Sequence, residues 1–144
     1  MYTEQLSQAL SLAGTEIDPV SQAVGTVTSG GVDLSKFKRV LFLLQVGAVG
    51  GAGTVDAKLQ QSATLASGYA DIASSNITQV TTANQIVTLE IRSDQLSAGK
   101  RYARLSVTVG GNAVLIAALA LGGEAVEKPA SANDVTAVTQ RLVL

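Results

Sequence analysis

The sequence predicts an all-β fold, an antiparallel β-sandwich or jelly roll, and three observations carry that expectation. Several short segments alternate apolar with polar side chains: 54–60 reads TVDAKLQ, 85–92 reads QIVTLEIR and 101–110 reads RYARLSVTVG. In each, one alternate set is apolar (Val55, Ala57, Leu59; Val87, Leu89, Ile91; Ala103, Leu105, Val107, Val109), the period of two that marks strands buried on one face. Gly-rich turns separate these segments, giving roughly seven or eight short strands at regular spacing. With 144 residues, the chain is long enough to bury one substantial core without staples, so a single domain is expected.

Residues 1–18 read as an N-terminal arm. Leu6, Ala9 and Leu10 have a weak helical spacing that ends at Ala13 and Gly14, suiting a short helix or a flexible arm, and Asp18 with Pro19 marks a turn. Residues 21–29 (SQAVGTVTS) suit a first strand. The strongest strand signal is 32–45 (VDLSKFKRVLFLLQ), whose apolar run places 40–46 centrally with both faces covered, since an edge could not expose it safely. Gly47, Gly50, Gly51 and Gly53 then form a loop, and 54–61 returns as the second arm of a hairpin.

Residues 62–84 are polar and mixed. Within them 77–82 (ITQVTT) suits a short strand, and Tyr69 and Ile72 suit anchors tucked under the sheet. The segments 85–92 and 101–110, joined by SDQLSAGK, read as a second hairpin, and 113–121 (AVLIAALAL) pairs back after Gly110, Gly111 and Asn112 to complete a meander. Beyond Gly123 the composition shifts to Pro129 and small polar residues, so 124–144 is expected as a tail or edge strand around a β-core of 19–123.

Apolar residues make up 47% of the chain and mean hydropathy is +0.32, which excludes disorder as a general state. Charged residues reach only 15%, with a formal net charge of -1. That leaves no broad basic footprint for nucleic acid and favours association over a free monomer. The start of the chain lacks the basic residues and continuous apolar core of a signal peptide, because Glu4, Gln5 and Gln8 interrupt it. Its longest apolar run, nine residues at 113–121, is far short of the about 20 needed to span a bilayer as a helix, so no membrane partner is expected.

Chemistry is scarce. The chain has no His or Cys, which removes the usual base for a Ser nucleophile, thiol chemistry and thiolate metal sites together. No pair among the acids has a spacing that imposes a metal site or an acid/base pair, and Asp56 and Glu90 are expected to serve solubility or to pair with Lys58, Arg92 or Arg104 across strands. The cluster VGAVGGAG at 46–53 lacks the Lys–Ser/Thr ending and following helix of a phosphate loop. We therefore expect no enzyme, and no catalytic, cofactor-binding or metal-binding residue. Lys36, Lys38 and Arg39 cluster at a strand start, as do Lys100, Arg101 and Arg104; they read as solvated edges, or as charges that meet an acidic partner.

The opening MYTEQLSQAL, the stretch GVDLSKFKRVLFLLQVGAV at 31–49, the following TVDAKLQQS and the later VTLEIRSDQL resemble a group of small proteins encoded beside the major capsid protein of tailed bacteriophages and prophages. The resemblance implies a head decoration or cement protein, a structural protein on the virion surface made in the bacterial cytoplasm. Its implied partners are the major capsid protein and itself, as a homotrimer. Contacts would then fall on the two ends and the first basic cluster: Tyr2, Leu6, Leu10, Lys36, Lys38, Arg39, Leu142 and Leu144. The alternative is a head-fibre, tail or carbohydrate- or receptor-binding β-module of the same particle. A sugar site usually displays aromatic platforms, and the chain offers only Tyr2, Tyr69, Tyr102, Phe37 and Phe42.

Overall fold

The computed structural model describes residues 6–14, 16–128, 130, 131, 133 and 136–143. Along the chain the strands are β1 (Leu10–Leu12), β2 (Ile17–Gln22), β3 (Gly25–Thr28), β4 (Val32–Asp33), β5 (Phe37–Val49), β6 (Thr54–Ser62), β7 (Ala70–Asp71), β8 (Gln85–Arg92), β9 (Tyr102–Gly110) and β10 (Val114–Ala125). One helical turn, α1 (Leu6–Ala9), precedes β1. The first sheet has the order β1/β2, β10, β5, β8, with β1 and β2 lying in series along β10; the second has the order β3/β4, β9, β6, β7, with β3 and β4 in series along β9. All pairings are antiparallel.

The two sheets pack as a sandwich around one core. Val40, Phe42, Leu44 and Val46 of β5, with Val114, Ile116, Ala118 and Ala120 of β10, face Val55, Ala57 and Leu59 of β6 and Ala103, Leu105, Val107 and Val109 of β9, all buried. Phe37 closes one end, its ring lying over Gly122 where a side chain would otherwise stand.

The connections differ from those the sequence suggests. The chain changes sheet between β2 and β3, β4 and β5, β5 and β6, β7 and β8, β8 and β9, and β9 and β10. So 40–46 and 54–61 are not a hairpin, and 85–92, 101–110 and 113–121 are not a meander: successive strands stack across the core instead of pairing. This interleaving of two Greek keys is the jelly-roll order. Periodicity shows that a strand has an inner face, but a turn between sheets uses the same Gly and Asn residues as a hairpin turn. Here the loop after β5 bonds the next corner: Gly50 N donates to the Ala113 carbonyl at 3.3 Å.

The expected strand at 21–29 is two strands in different sheets, broken at Ala23 and Val24. Asp18 and Pro19 are not a turn. They lie within β2, where both together face Ala117 of β10, a bulge on an edge strand that tolerates a residue with no N–H to donate. Part of the segment expected as an N-terminal arm, residues 10–12 and 17–18, is hydrogen-bonded along β10. At the other end β10 runs to Ala125, and beyond it no strand occurs among the described residues. The tail starts along the 34–36 turn, with Val126 N donating to the Lys36 carbonyl at 2.9 Å.

That turn is held by Asp33. Its carboxylate accepts from Ser35 N at 2.9 Å, Ser35 Oγ at 2.7 Å and Arg101 Nε at 2.7 Å, and Arg101 Nη2 bonds its second oxygen. The Arg101 guanidinium pulls the Asp33 pKa down from 3.8 to about 2, against the upward push of partial burial and with further help from Ser35. A carboxylate depressed by folding stabilises the fold fully above its unfolded pKa and loses that contribution as pH falls from about 4 towards 2. Because Arg101 is half exposed, we expect a contribution of only about 1 kcal/mol. Urea unfolding at pH 6 and pH 2.5 should show Asp33→Asn less stable than wild type at pH 6, with the gap narrowing at pH 2.5; a gap that widens in acid would contradict the assignment.

Candidate interaction surface

The two outer faces of the sandwich are chemically opposite. On the second sheet the outward side chains of β6 and β9 are polar and bonded to one another and to the 63–84 segment. Asp71 accepts from Lys58 Nζ at 2.6 Å and Gln60 Nε2 at 2.8 Å, Arg104 Nε donates to Gln60 Oε1 at 2.9 Å, and Gln79 Nε2 donates to Asp56 at 2.8 Å. Lys58 and, next, Gln60 hold the Asp71 carboxyl below its usual range. Tyr69 stacks on Arg104, whose guanidinium carbon is 4.0 Å from the ring centroid, and burial raises its phenol pKa. The edge of β6 is closed as well: Ile72 N and Ile77 N donate to the Leu59 and Ala57 carbonyls, and Val55 and Val80 exchange backbone bonds at 2.8 Å. Only Val80 of the expected 77–82 strand is bridged.

The outer face of the first sheet is apolar. Antiparallel register places directly opposed residues on one side, so its rows can be read across the strands. Leu12, Leu121 and Leu41 form one row, ending at Glu90. Leu119 and Leu43 form the next, with Thr88, followed by Ala117, Gln45 and Ile86. At the far end Leu115 lies over Gly47, where an added Cβ would be 3.1 Å from the Leu115 Cβ. Ile86 is 66%, Leu115 46% and Leu119 37% exposed. From a strand spacing of ~4.8 Å and a rise of ~3.4 Å per residue, the patch covers on the order of 400 Å², the size at which an apolar patch on a soluble monomer is often functional.

A groove of about 390 Å³ crosses this face, lined by Pro19, Leu43, Ile86, Ala117 and Leu119, with Glu16, Asp18 and Gln45 as its polar lining. At the opposite rim Arg39 bridges Glu90 at 3.5 Å and Glu124 at 3.3 Å, and its stem covers Gly123 beside Leu10. Glu90 therefore pairs with Arg39, and Asp56 with Gln79, in place of the Lys58, Arg92 and Arg104 partners expected from sequence.

Of the residues proposed from sequence for partner contact, the structure brings Leu10 and Arg39 together at this rim. Leu6 is 73% exposed on α1 and Leu142 is 77% exposed in the tail. Lys36 and Lys38 are exposed, and Lys36 Nζ is bonded to Ser131 Oγ at 3.3 Å. Tyr2 and Leu144 lie outside the described residues.

Leu41, Leu43, Ile86, Leu115, Leu119 and Leu121 were not singled out for contact by the sequence. For all of them but Ile86 the signal was present as unbroken apolar runs at 40–44 and 113–121, which promise an apolar residue on both faces of a strand. The expectation that both faces of 40–46 are covered fails for the outer one: Gln45 is exposed and Leu41 and Leu43 are only half-buried. Among the described residues no group of three or more His, Cys, Asp or Glu side chains is placed to hold a metal. No protein-family model matches this chain, and no match is found among curated proteins.

Proposed function

We propose that this chain is a structural subunit of a tailed-bacteriophage head, a decoration protein that stabilises the shell by covering its own apolar sheet face against neighbouring subunits. The observation that carries this reading is the contrast between the two outer faces: one is closed by side-chain bonds, the other is an apolar sheet face whose side chains are half-buried or, at Ile86, Leu115 and Leu119, exposed. The likeness of 31–49 to small phage head proteins supplies the particle, and the jelly-roll order fits the reading without determining it.

Burying about 400 Å² of apolar surface is worth roughly 10 kcal/mol before the cost of association, itself about 4–15 kcal/mol. A single such contact is weak. Repetition by the symmetry of a shell makes many weak contacts into a clamp.

The test is to add the purified protein to heads that lack it and measure occupancy by electron microscopy and co-sedimentation. Leu115→Asp with Leu119→Asp changes two exposed residues, so the variant should fold with the wild-type circular dichroism spectrum and bind heads at least tenfold more weakly. A wild type that does not bind heads, or a variant that saturates them as wild type does, overturns the proposal. Binding on a glycan array without head binding would turn the reading to the receptor-binding alternative.

A further inference from the structure

The tail carries the chemistry that the groove on the first sheet would accept. Arg141, Leu142 and Val143 are consecutive and exposed, Val143 to 48% and Leu142 to 77%. The groove has an apolar floor of Leu43, Ala117 and Leu119, and Glu16 and Asp18 line it. Neither acid makes an ion pair among the described residues, and neither does Arg141, whereas Asp33, Asp71, Glu90, Asp94 and Glu124 are all paired. A cation followed by two aliphatic side chains thus complements an apolar trough bordered by two unpaired carboxylates.

We infer that Leu142 and Val143 of one copy dock in the first-sheet groove of a neighbouring copy, with Arg141 set against Glu16 and Asp18. This rests on the reading of that face as a contact surface and not on the identity of the particle. The chain's own groove does not hold the segment, since Leu142 is largely exposed. Reach permits the exchange: counted from Thr136, which is not free, the five residues to Arg141 extend up to ~17 Å, more than the ~15 Å radius of gyration of a domain this size. Made in one direction, a tail-to-groove contact is heterologous, joining copies head to tail and closing into a ring when the rotation allows; exchanged mutually between two copies, it closes a two-fold dimer.

Sedimentation velocity of the full chain over a concentration series reads this directly. Wild type should self-associate. Leu142→Asp with Val143→Asp should weaken association at least tenfold, and Asp18→Arg and Arg141→Asp should each weaken it severalfold. Asp18→Arg combined with Arg141→Asp should recover most of the loss, which a general surface effect would not. An Ala117→Arg copy, whose tail is intact, mixed with the Leu142→Asp, Val143→Asp copy, whose groove is intact, should form a one-to-one complex that neither forms alone. All variants should melt as wild type.

A wild type that stays monomeric throughout, as it would with its tail in its own groove, overturns the inference, as do tail variants that associate normally. Because no heads are present, the two proposals fail separately. Self-association through the tail without head binding sinks only the decoration role, and head binding with association unaltered by the tail variants sinks only this contact.

Discussion

Phe42→Ala should lower the unfolding free energy by about 3–5 kcal/mol, the usual cost of emptying an aromatic site in a packed core. Phe42 is 1% exposed, directly opposite Ala120 on β10 and Leu89 on β8, and it points at the second sheet. Its small neighbour Ala120 is part of why the loss is large. The ring fills space that an alanine opposite cannot close, so the cavity persists after relaxation. Leu43 is the control, one residue on and facing outward. Leu43→Ala should cost under about 1.5 kcal/mol in dilute protein, because its side chain is only partly buried, yet it should weaken association. Urea unfolding at low protein concentration measures both. Equal losses at the two positions would show that β5 is covered on both sides.

Gly111→Ala should be the most damaging change of a single methyl group, costing about 2–5 kcal/mol. Gly111 has φ +71°, a left-handed conformation that costs a side-chain-bearing residue ~1–2 kcal/mol, and its added Cβ would collide with the Ala52 carbonyl oxygen of the adjoining corner. Backbone on both sides leaves nothing flexible to move, so an overpacking cost of ~1–3 kcal/mol accompanies the strain. Gly99 separates the two effects. It has φ +78° with no neighbouring atom within 4 Å of an added Cβ, so Gly99→Ala should show the strain alone, about 1 kcal/mol. If Gly111→Ala is no worse than Gly99→Ala, the two corners are not in contact.

These two sites mark how far the sequence can be read. Phe42 as a core residue follows from its place in VLFLL, and the inward sets of β6, β8 and β9 follow from strict alternation, where a shift of one residue would turn the whole set to solvent. The corner at Gly111 was legible only as a turn. That the turn packs against Ala52, and therefore that the chain arches from one sheet to the other, depends on contacts between segments about 60 residues apart. The interaction surface was half legible: the arm residue Leu10 and the basic Arg39 were marked, but the leucines between them were read as core.

Alternation and composition alone establish a β-rich, weakly charged domain with apolar strands and no His or Cys, because both are local and survive any rearrangement of strand order. Which strands pair, and with that which apolar residues lie inside, depends on contacts between distant segments. Both β5 and β10 carry apolar side chains on their two faces, yet only one sheet packs on them. The other face is left uncovered because a two-layer sandwich buries one side of each sheet, and no local pattern records which neighbour is missing.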